Sequence, residues 1–349
     1  MIIFEDLKAE KRGGIEMTLK TMLLIGFLFF TLLPQSDLVH ADRLGEDTRL
    51  ALDVSSRVNW NQASNQTSVL HFAGIDFFRT FQLNGKDFGS LLLQPYLVRA
   101  VRLNPHPRLF DDPDDTALQI RNFLFRSAPL MGGTTQLSVG HLELPFGLER
   151  EFETNQTLQQ FDNQIDGGHK VDWGVGLDGF AGSLKYDLAV TRGSGNEWRD
   201  EGSPHLVTAR LGTDPSAPYS FGFTIVDGEL WTPNGVTSSR SRYAVDGRWG
   251  IGQFNLKGQY ATGKNQNIDA KRSFFEVEWV YGYSEWVLYI QRKNLDLANM
   301  PSPQTSLTLG VRFEPTNWIQ IDIDSLKDQK NMGRPKREMV RAQVRFRLQ

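Results

Sequence analysis

A chain of 349 residues that is 40% hydrophobic, with a mean hydropathy of -0.37, is too polar to form a bundle of membrane-spanning helices. It contains no cysteine, which excludes both a disulfide framework and a thiolate metal site. The net charge of -3 gives no support to a nucleic-acid partner.

The first 41 residues have the pattern of a secretory signal peptide. Lys20 precedes the apolar run Met22–Leu33, and the polar stretch that follows ends at Ala41, where we predict cleavage. The apolar run is shorter than the roughly 20 residues that a membrane-spanning helix needs. These residues are therefore not expected in the mature fold.

Residues 1–16 are charged and look out of place in front of a signal peptide. They include the sequence Arg-Gly-Gly, whose codons can contain a purine-rich ribosome-binding sequence. We therefore predict that Met17 is the true start and that residues 42–349 form a single domain.

From Leu50 onward, apolar and polar residues alternate, which indicates β-strands with two unlike faces. The clearest strands lie within 171–178, 184–191, 253–260, 306–313 and 340–348. Weaker copies begin near Leu50, Val69, Leu91, Leu118, Gln136, Leu206, Tyr219, Tyr243, Phe275, Val287 and Ile319, giving sixteen candidates in all.

The lengths of the connections distinguish a membrane barrel from a soluble sandwich. Tight connections are predicted at 179–182, 212–218, 250–252, 281–284 and 314–317. They alternate with longer ones at 193–204, 227–240, 263–271, 294–303 and 327–336. Outer-membrane barrels join strands by short periplasmic turns and longer outside loops. The pattern predicts an all-β transmembrane antiparallel β-barrel of sixteen strands, with fourteen as the alternative, in the bacterial outer membrane.

Aromatic residues on the apolar faces support the same fold, because such barrels carry aromatic girdles at both membrane interfaces. The candidates are Trp60, Trp173, Tyr186, Trp249, Tyr260, Trp279, Trp286 and Phe346. The expected surroundings are outer-membrane lipid and lipopolysaccharide.

One connection, residues 144–170, is longer than all the others, and we call it segment 144–170. In the predicted topology it joins the fifth and sixth strands on the outside. A long loop among short ones can fold into a barrel and narrow its lumen, so we interpret it as a constriction loop, with an ordinary surface loop as the alternative. Its charged candidates are Glu149, Arg150, Glu151, Glu153, Asp162 and Asp166.

The polar faces of the strands predict a lumen of mixed charge. The candidate pore-lining bases are Arg57, Lys185, Arg210, Arg242, Arg248, Lys257, Arg312, Arg341, Arg345 and Arg347. The acids on these faces are Asp53, Asp172, Asp178, Asp187, Asp246, Glu276, Glu278, Asp322 and Asp324. An acidic loop opposite an arginine-rich wall would set up a transverse field that disfavours apolar solutes. The alternative is that these charges pair with one another.

No catalytic or cofactor motif is evident, so we predict no enzyme activity, no cofactor and no metal site. The histidines of the mature chain lack the spacing of metal ligands, and the G-x-G-x-x-G match at Gly174–Gly179 lies inside a predicted strand. The acidic run Asp111–Asp115 is better explained as solvated charge than as a divalent-ion bridge to lipopolysaccharide.

The stretch Val139–Asn163 resembles the third-loop region of the phosphate-selective porin O and P family, with its core at Leu144–Glu149. Softer likenesses lie at Arg242–Trp249, Leu256–Gly263 and Val287–Lys293. The resemblance implies a sixteen-stranded barrel, a homotrimer, and passive diffusion of small solutes or ions, with a preference for anions such as phosphate. Because segment 144–170 is acidic, we expect only weak selectivity. A non-conducting barrel that acts as a surface or adhesion protein is the alternative function.

Overall fold

The computed structural model describes residues 47–103, 115–130, 133–148, 157–159, 170–196, 204–231, 236–282, 285–331 and 337–348. The predicted signal peptide, the Met17 start and the acidic run before Asp115 lie outside the described residues. So do all six charged candidates of segment 144–170.

The described chain forms sixteen strands, which confirms the predicted number over the alternative of fourteen. They are β1 (Thr48–Asn61), β2 (Gln66–Leu83), β3 (Lys86–Leu103), β4 (Asp115–Ser127), β5 (Gln136–Glu143), β6 (Val171–Ala181), β7 (Leu184–Thr191), β8 (Leu206–Thr213), β9 (Tyr219–Trp231), β10 (Thr237–Ile251), β11 (Phe254–Asn265), β12 (Ile268–Tyr281), β13 (Trp286–Leu297), β14 (Gln304–Thr316), β15 (Ile319–Asn331) and β16 (Glu338–Leu348).

The strands close into one antiparallel barrel. Each strand pairs with its neighbours in sequence, and β1 pairs with β16 from Leu52↔Leu348 to Asn61↔Met339. Closure removes the open sheet edges, which cannot be exposed to lipid. Among the described residues, no helix is long and apolar enough to span a membrane.

The two faces of each strand differ as the alternation predicts. On β14, Leu309 points outward and is 50% exposed, whereas Thr308 points inward and is fully buried. The paired Ile290 and Gln291 of β13 show the same contrast. The outward surface is therefore an apolar belt of the kind that contacts lipid, and four of the eight predicted girdle residues, Trp249, Tyr260, Trp279 and Trp286, are exposed on it.

Tight turns lie at the barrel end where β1 begins and β16 ends, for example at 84–85, 182–183, 252–253 and 317–318. The slightly longer turn 214–218 is held by the carboxylate of Asp214, which accepts the backbone N–H and the hydroxyl of Ser216 at 2.9 and 2.8 Å. Both hydrogen bonds lower the pKa of Asp214 below its ordinary value, and the one from the backbone N–H has the larger effect.

At the other end, one predicted long connection is wrong. The connection expected at 263–271 is a two-residue turn at 266–267, because β11 continues to Asn265 and β12 begins at Ile268. Gln266 takes a φ of 53°, which lets the hairpin turn tightly. Gly263, read from the sequence as the start of a loop, lies within the β10–β11 ladder at a φ of 151°, where a Cβ would collide with the carbonyl oxygen of Ser241.

The wall of the barrel is uneven in height. Strands β2 and β3 have 18 residues each, whereas β5, β7 and β8 have 8 residues each. Segment 144–170 leaves the barrel wall from one of the short strands, β5, and returns at β6.

Candidate functional site

The lumen wall carries the polar side chains that alternate with the outward apolar ones. All ten predicted bases and all nine predicted acids occupy these inward positions in the described strands. Most of them are buried by neighbouring inward side chains.

The described wall charges are largely paired with each other, either within a strand or between strands of the inner wall. Lys257 lies 3.0 Å from both Glu276 and Glu278, and Arg210 lies 2.6 Å from Asp246. Seven of the ten predicted bases form such ion pairs with described wall carboxylates. The pairs are Lys185–Asp187, Arg210–Asp246, Lys257–Glu276, Arg312–Asp322, Arg341–Asp324, Arg345–Asp53 and Arg347–Asp76.

The other three predicted bases also donate to neutral oxygens of the wall. Arg57 donates to Gln343 Oε1 at 2.9 Å, and Arg242 donates to Asn265 Oδ1 at 3.0 Å. Arg248 donates to the carbonyl oxygen of Pro215 at 2.9 Å, close to the end of the barrel that holds the tight turns. The arginine-rich wall is thus largely neutralised by its own acids, which weakens the expected transverse field.

The beginning of segment 144–170 lies against the inner wall. The backbone N–H of Gly147 donates to Thr224 Oγ1 on β9 at 3.2 Å, and that of Leu148 donates to Gln259 Oε1 on β11 at 2.7 Å. Gly147 has a φ of 52°, and a Cβ there would collide with the Gln259 amide. Only glycine combines this backbone conformation with so close an approach to the wall.

Apolar side chains hold the same stretch in place. Leu144 and Phe146 pack into a buried cluster inside the barrel, and Leu148, 1% exposed, packs against Phe274 of β12. The wall side of this cluster consists of Leu142, Ala189, Leu206, Val226, Ala244 and Ala261. These inward positions are apolar on an otherwise polar face.

The second described part of the segment, residues 157–159, is held by basic side chains of the wall. Arg57 donates to the carbonyl oxygen of Thr157 and Arg341 to that of Leu158, each at 3.1 Å. Arg312 donates to the side-chain oxygens of Thr157 and Gln159. All three residues of this part are buried, with Leu158 fully so.

Gln159 links these bases to a wall acid by donating its amide to Glu278 Oε1 at 2.7 Å. The described parts of the segment therefore contact β9, β11 and β12 at one end and β1, β12, β14 and β16 further along. Its charged candidates lie in the part that the structure does not describe, so their positions remain predictions.

A second connection also turns inward. Asp172 of β6 accepts the backbone N–H groups of Gly193, Ser194 and Gly195 at 2.5, 3.1 and 3.0 Å. These residues follow β7 and are buried. One carboxylate thus fixes the start of the β7–β8 connection over the lumen.

Sequence reasoning missed the residues that receive the segment. Thr224 and Gln259 bind it, yet both look like ordinary polar-face residues in the sequence. A usable signal was present in the apolar residues on the polar faces, such as Ala244 and Ala261, which break the two-faced pattern where the segment docks. Asp76, which pairs with Arg347 at 2.8 Å, was also missed.

No group of three or more His, Asp or Glu side chains that could hold a metal ion occurs in the described ranges. His141 is fully buried, with its ring 4.9 Å from that of Trp173.

Solved structures similar to this barrel are outer-membrane proteins. The anion-selective porin of Comamonas acidovorans has a TM-score of 0.62 at 12% identity, covering 86% of this chain and 99% of that one. A trimer form of OmpT from Vibrio cholerae has a TM-score of 0.58 at 12% identity, covering 86% and 98%. A mutant of the Rh. blastica porin has a TM-score of 0.57 at 8% identity, covering 86% and 99%.

These identities are low, so the likeness concerns the fold. No protein-family model matches the chain, and no curated protein matches it in sequence.

Proposed function

We propose that this protein is a porin of the bacterial outer membrane that passes small polar or charged solutes by passive diffusion. The proposal is supported by the inward course of the described parts of segment 144–170, residues 144–148 and 157–159, which bind inward side chains of six strands. A closed barrel with an apolar outward belt places the chain in the outer membrane. In this proposal the segment narrows the lumen and sets the size of solute that passes.

The mechanism follows from the chemistry of the wall and involves no covalent step. A small solute entering the lumen exchanges part of its hydration shell for the fixed dipoles and paired charges of the wall. An apolar solute displaces the water bound to those groups but cannot form hydrogen bonds with them, so its entry is disfavoured. Because most wall bases have a carboxylate partner, the net field along the path is small and charge selectivity is weak.

The finer features of the proposal rest on resemblance. The likeness of Val139–Asn163 to the phosphate-selective porins, together with an anion-selective porin among the structural neighbours, favours anions such as phosphate. The trimer form of one neighbour favours a homotrimer. Lipopolysaccharide would surround the outer rim.

A second candidate function is a non-conducting surface protein. It is favoured by the tight docking of the segment, since Leu144, Phe146, Leu148 and Leu158 are all at least nine-tenths buried inside the barrel. If the segment closed the lumen, no solute could pass, and only the outside loops could carry a function, such as adhesion.

Single-channel recording in planar lipid bilayers separates the two functions. The folded protein should give discrete current steps in potassium chloride, and the reversal potential in a salt gradient should lie near zero, with a small bias toward anions. Barrels that insert, as shown by protection from protease, but give no steps would refute the porin and support the surface protein. Chemical cross-linking in detergent, with a heated sample as control, tests the trimer.

A further inference from the structure

A recess of about 380 Å³ lies on the outward face of β10–β13, towards the barrel end opposite the tight turns. Its polar side chains come from two adjacent rows of the strand register. The first row is Tyr243, Thr262, Lys271 and Asp296, and the second is Ser241, Lys264 and Asp269. Neighbouring strands are about 4.8 Å apart, and residues of one face follow each other about every 7 Å along a strand, so these side chains form one compact patch.

The recess lies at the edge of the apolar belt. Ala261 and Ala270 are fully buried on the inward faces of β11 and β12, whereas Lys271 points outward and is exposed. Nearer the middle of the barrel, the outward face carries Tyr260 and Phe275, which are 45% and 51% exposed. Outer-membrane barrels direct their short turns to the periplasm, so the recess faces the headgroups of the outer leaflet.

The two lysines of the recess are not engaged by the described parts of the protein. Lys264 and Lys271 form no hydrogen bond or ion pair there, although each has an aspartate opposite it in the register. Lys327, exposed towards the same end of β15, instead lies 2.6 Å from Glu338. Lys264 and Lys271 are diagonal neighbours, with Cα atoms about 7–8 Å apart, so both ammonium groups can reach one ligand.

A third base lies on the membrane side of the recess. Arg292 of β13 is opposite Phe275 in the register and has the same outward parity as Ile290. It forms no hydrogen bond or ion pair with another described residue. A charge on the lipid-facing wall is costly, and a long arginine side chain lowers that cost by extending to the interface. Extension towards Asp296, four residues along the strand, brings the guanidinium to the recess.

These side chains suit a phosphate that is carried on a sugar. The three bases bind a phosphate through charge-assisted hydrogen bonds and outnumber the two aspartates. The aspartates accept hydrogen bonds from sugar hydroxyls, and the hydroxyls of Ser241, Tyr243 and Thr262 donate or accept them. A free phosphate ion would leave these groups and the adjoining apolar surface unused.

We propose that this recess binds the phosphorylated sugar headgroup of an outer-leaflet lipid, the class to which lipopolysaccharide belongs. The phosphate binds between Lys264 and Lys271, and Arg292 approaches it from the membrane side. The acyl chains lie against Tyr260 and Phe275. The inference rests on the outer-membrane placement in the proposed function and does not depend on conduction through the lumen.

The test measures the binding of lipid A, a diphosphorylated glucosamine lipid, to the folded barrel in detergent. Native mass spectrometry counts the bound lipids, and a titration gives the affinity. The test variant carries Lys264→Gln together with Lys271→Gln, and Arg292→Gln is a second variant. Lys327→Gln is the matched control, because it removes an outward lysine at the same end of the barrel whose charge is already paired. Lipid A without its phosphates is the control probe, and sodium phosphate is the soluble competitor.

The double variant should bind lipid A about thirtyfold more weakly than the parent protein, since each basic residue near an anionic lipid contributes about fivefold. Arg292→Gln should weaken binding about fivefold, Lys327→Gln should leave it unchanged, and the dephosphorylated lipid should bind no better to the parent than to the double variant. Unchanged affinity in the double variant, or an equal loss in Lys327→Gln, would overturn the site. Displacement of lipid A by millimolar sodium phosphate would assign the recess to a soluble anion and overturn the lipid.

Single-channel recording keeps this inference separate from the porin function. The double variant should conduct like the parent protein, because both lysines lie on the outward face. A barrel that binds lipid A as expected but gives no current would refute the porin and support the lipid site.

Discussion

Replacing Phe146 with alanine should release the beginning of segment 144–170 from the inner wall. Phe146 is 9% exposed and lies in the apolar cluster formed with Leu142, Ala244 and their neighbours. Removing a buried phenylalanine costs about 3–5 kcal/mol, and the lower figure applies here because lumen water can fill the vacated space. A loss of about 3 kcal/mol raises the undocked population of the segment about a hundredfold.

The consequence should be visible in two measurements. Single-channel conductance should rise or fluctuate between two levels as the segment leaves the lumen, and the free energy of unfolding in lipid vesicles should fall. The matched control is Phe221→Ala, because Phe221 is 60% exposed on the outward face of β9 and its removal leaves no internal cavity. A Phe146→Ala protein with unchanged conductance and unchanged stability would refute the docking of the segment as the determinant of the lumen.

Three further outcomes are expected. Leu309→Arg places a charge on the lipid-facing side of β14 and should destabilise the barrel by about 2–4 kcal/mol near the bilayer midplane, as measured by urea unfolding in vesicles; an equal effect of Leu309→Gln would contradict a charge penalty. A cysteine in place of Arg126, whose side chain is 39% exposed, should react with a membrane-impermeant thiol reagent, whereas one in place of Phe125 should not; equal rates would argue against the two-faced wall. Changing the first three glutamates of segment 144–170 to glutamine should shift the reversal potential toward greater anion preference, and an unchanged reversal potential and conductance would mean that these acids lie away from the pore.

The sequence could predict which side chains point into the barrel and which point outward, because side chains alternate along a strand with a period of two. An error of one residue would have turned every inward group outward, so each long alternation is a strong constraint. Arg345 and Val344 illustrate this, since the first pairs with Asp53 inside the barrel and the second lies on the outward face. The strand number followed from the same pattern.

The sequence could not predict how deeply the inward side chains are buried by one another. Thr308 faces inward, as its position in the alternation predicts, but it is fully buried, so a larger side chain there would not fit. Its surroundings come from other strands and from residues far away in the chain. The contact of Arg57 with Thr157 joins residues 100 positions apart, and no local pattern reports such a pairing.

The turn at 266–267 was missed for a related reason. Glycine and polar residues around Gly263 suggest a loop. The same residue types also occur in bulges and tight hairpin turns, as at Gly263 and Gln266 here, without interrupting the strand pairing. Only the pairing of Asn265 with Ile268 distinguishes these alternatives.

The uneven wall has a consequence for the membrane itself. A strand of eight residues such as β7 or β8 rises about 26 Å along its own axis and, at a tilt of about 40°, spans only about 20 Å of the bilayer. The apolar band of an outer-membrane barrel is about 25 Å tall, so lipid beside the short strands must compress by several ångströms. Such a mismatch costs a fraction of a kcal/mol per ångström, and a thin bilayer or a neighbouring protomer on that flank would remove it. The described parts of segment 144–170 bind the inner wall after leaving it at β5, another strand of eight residues, so the low side of the wall is also the side from which chain is directed inward.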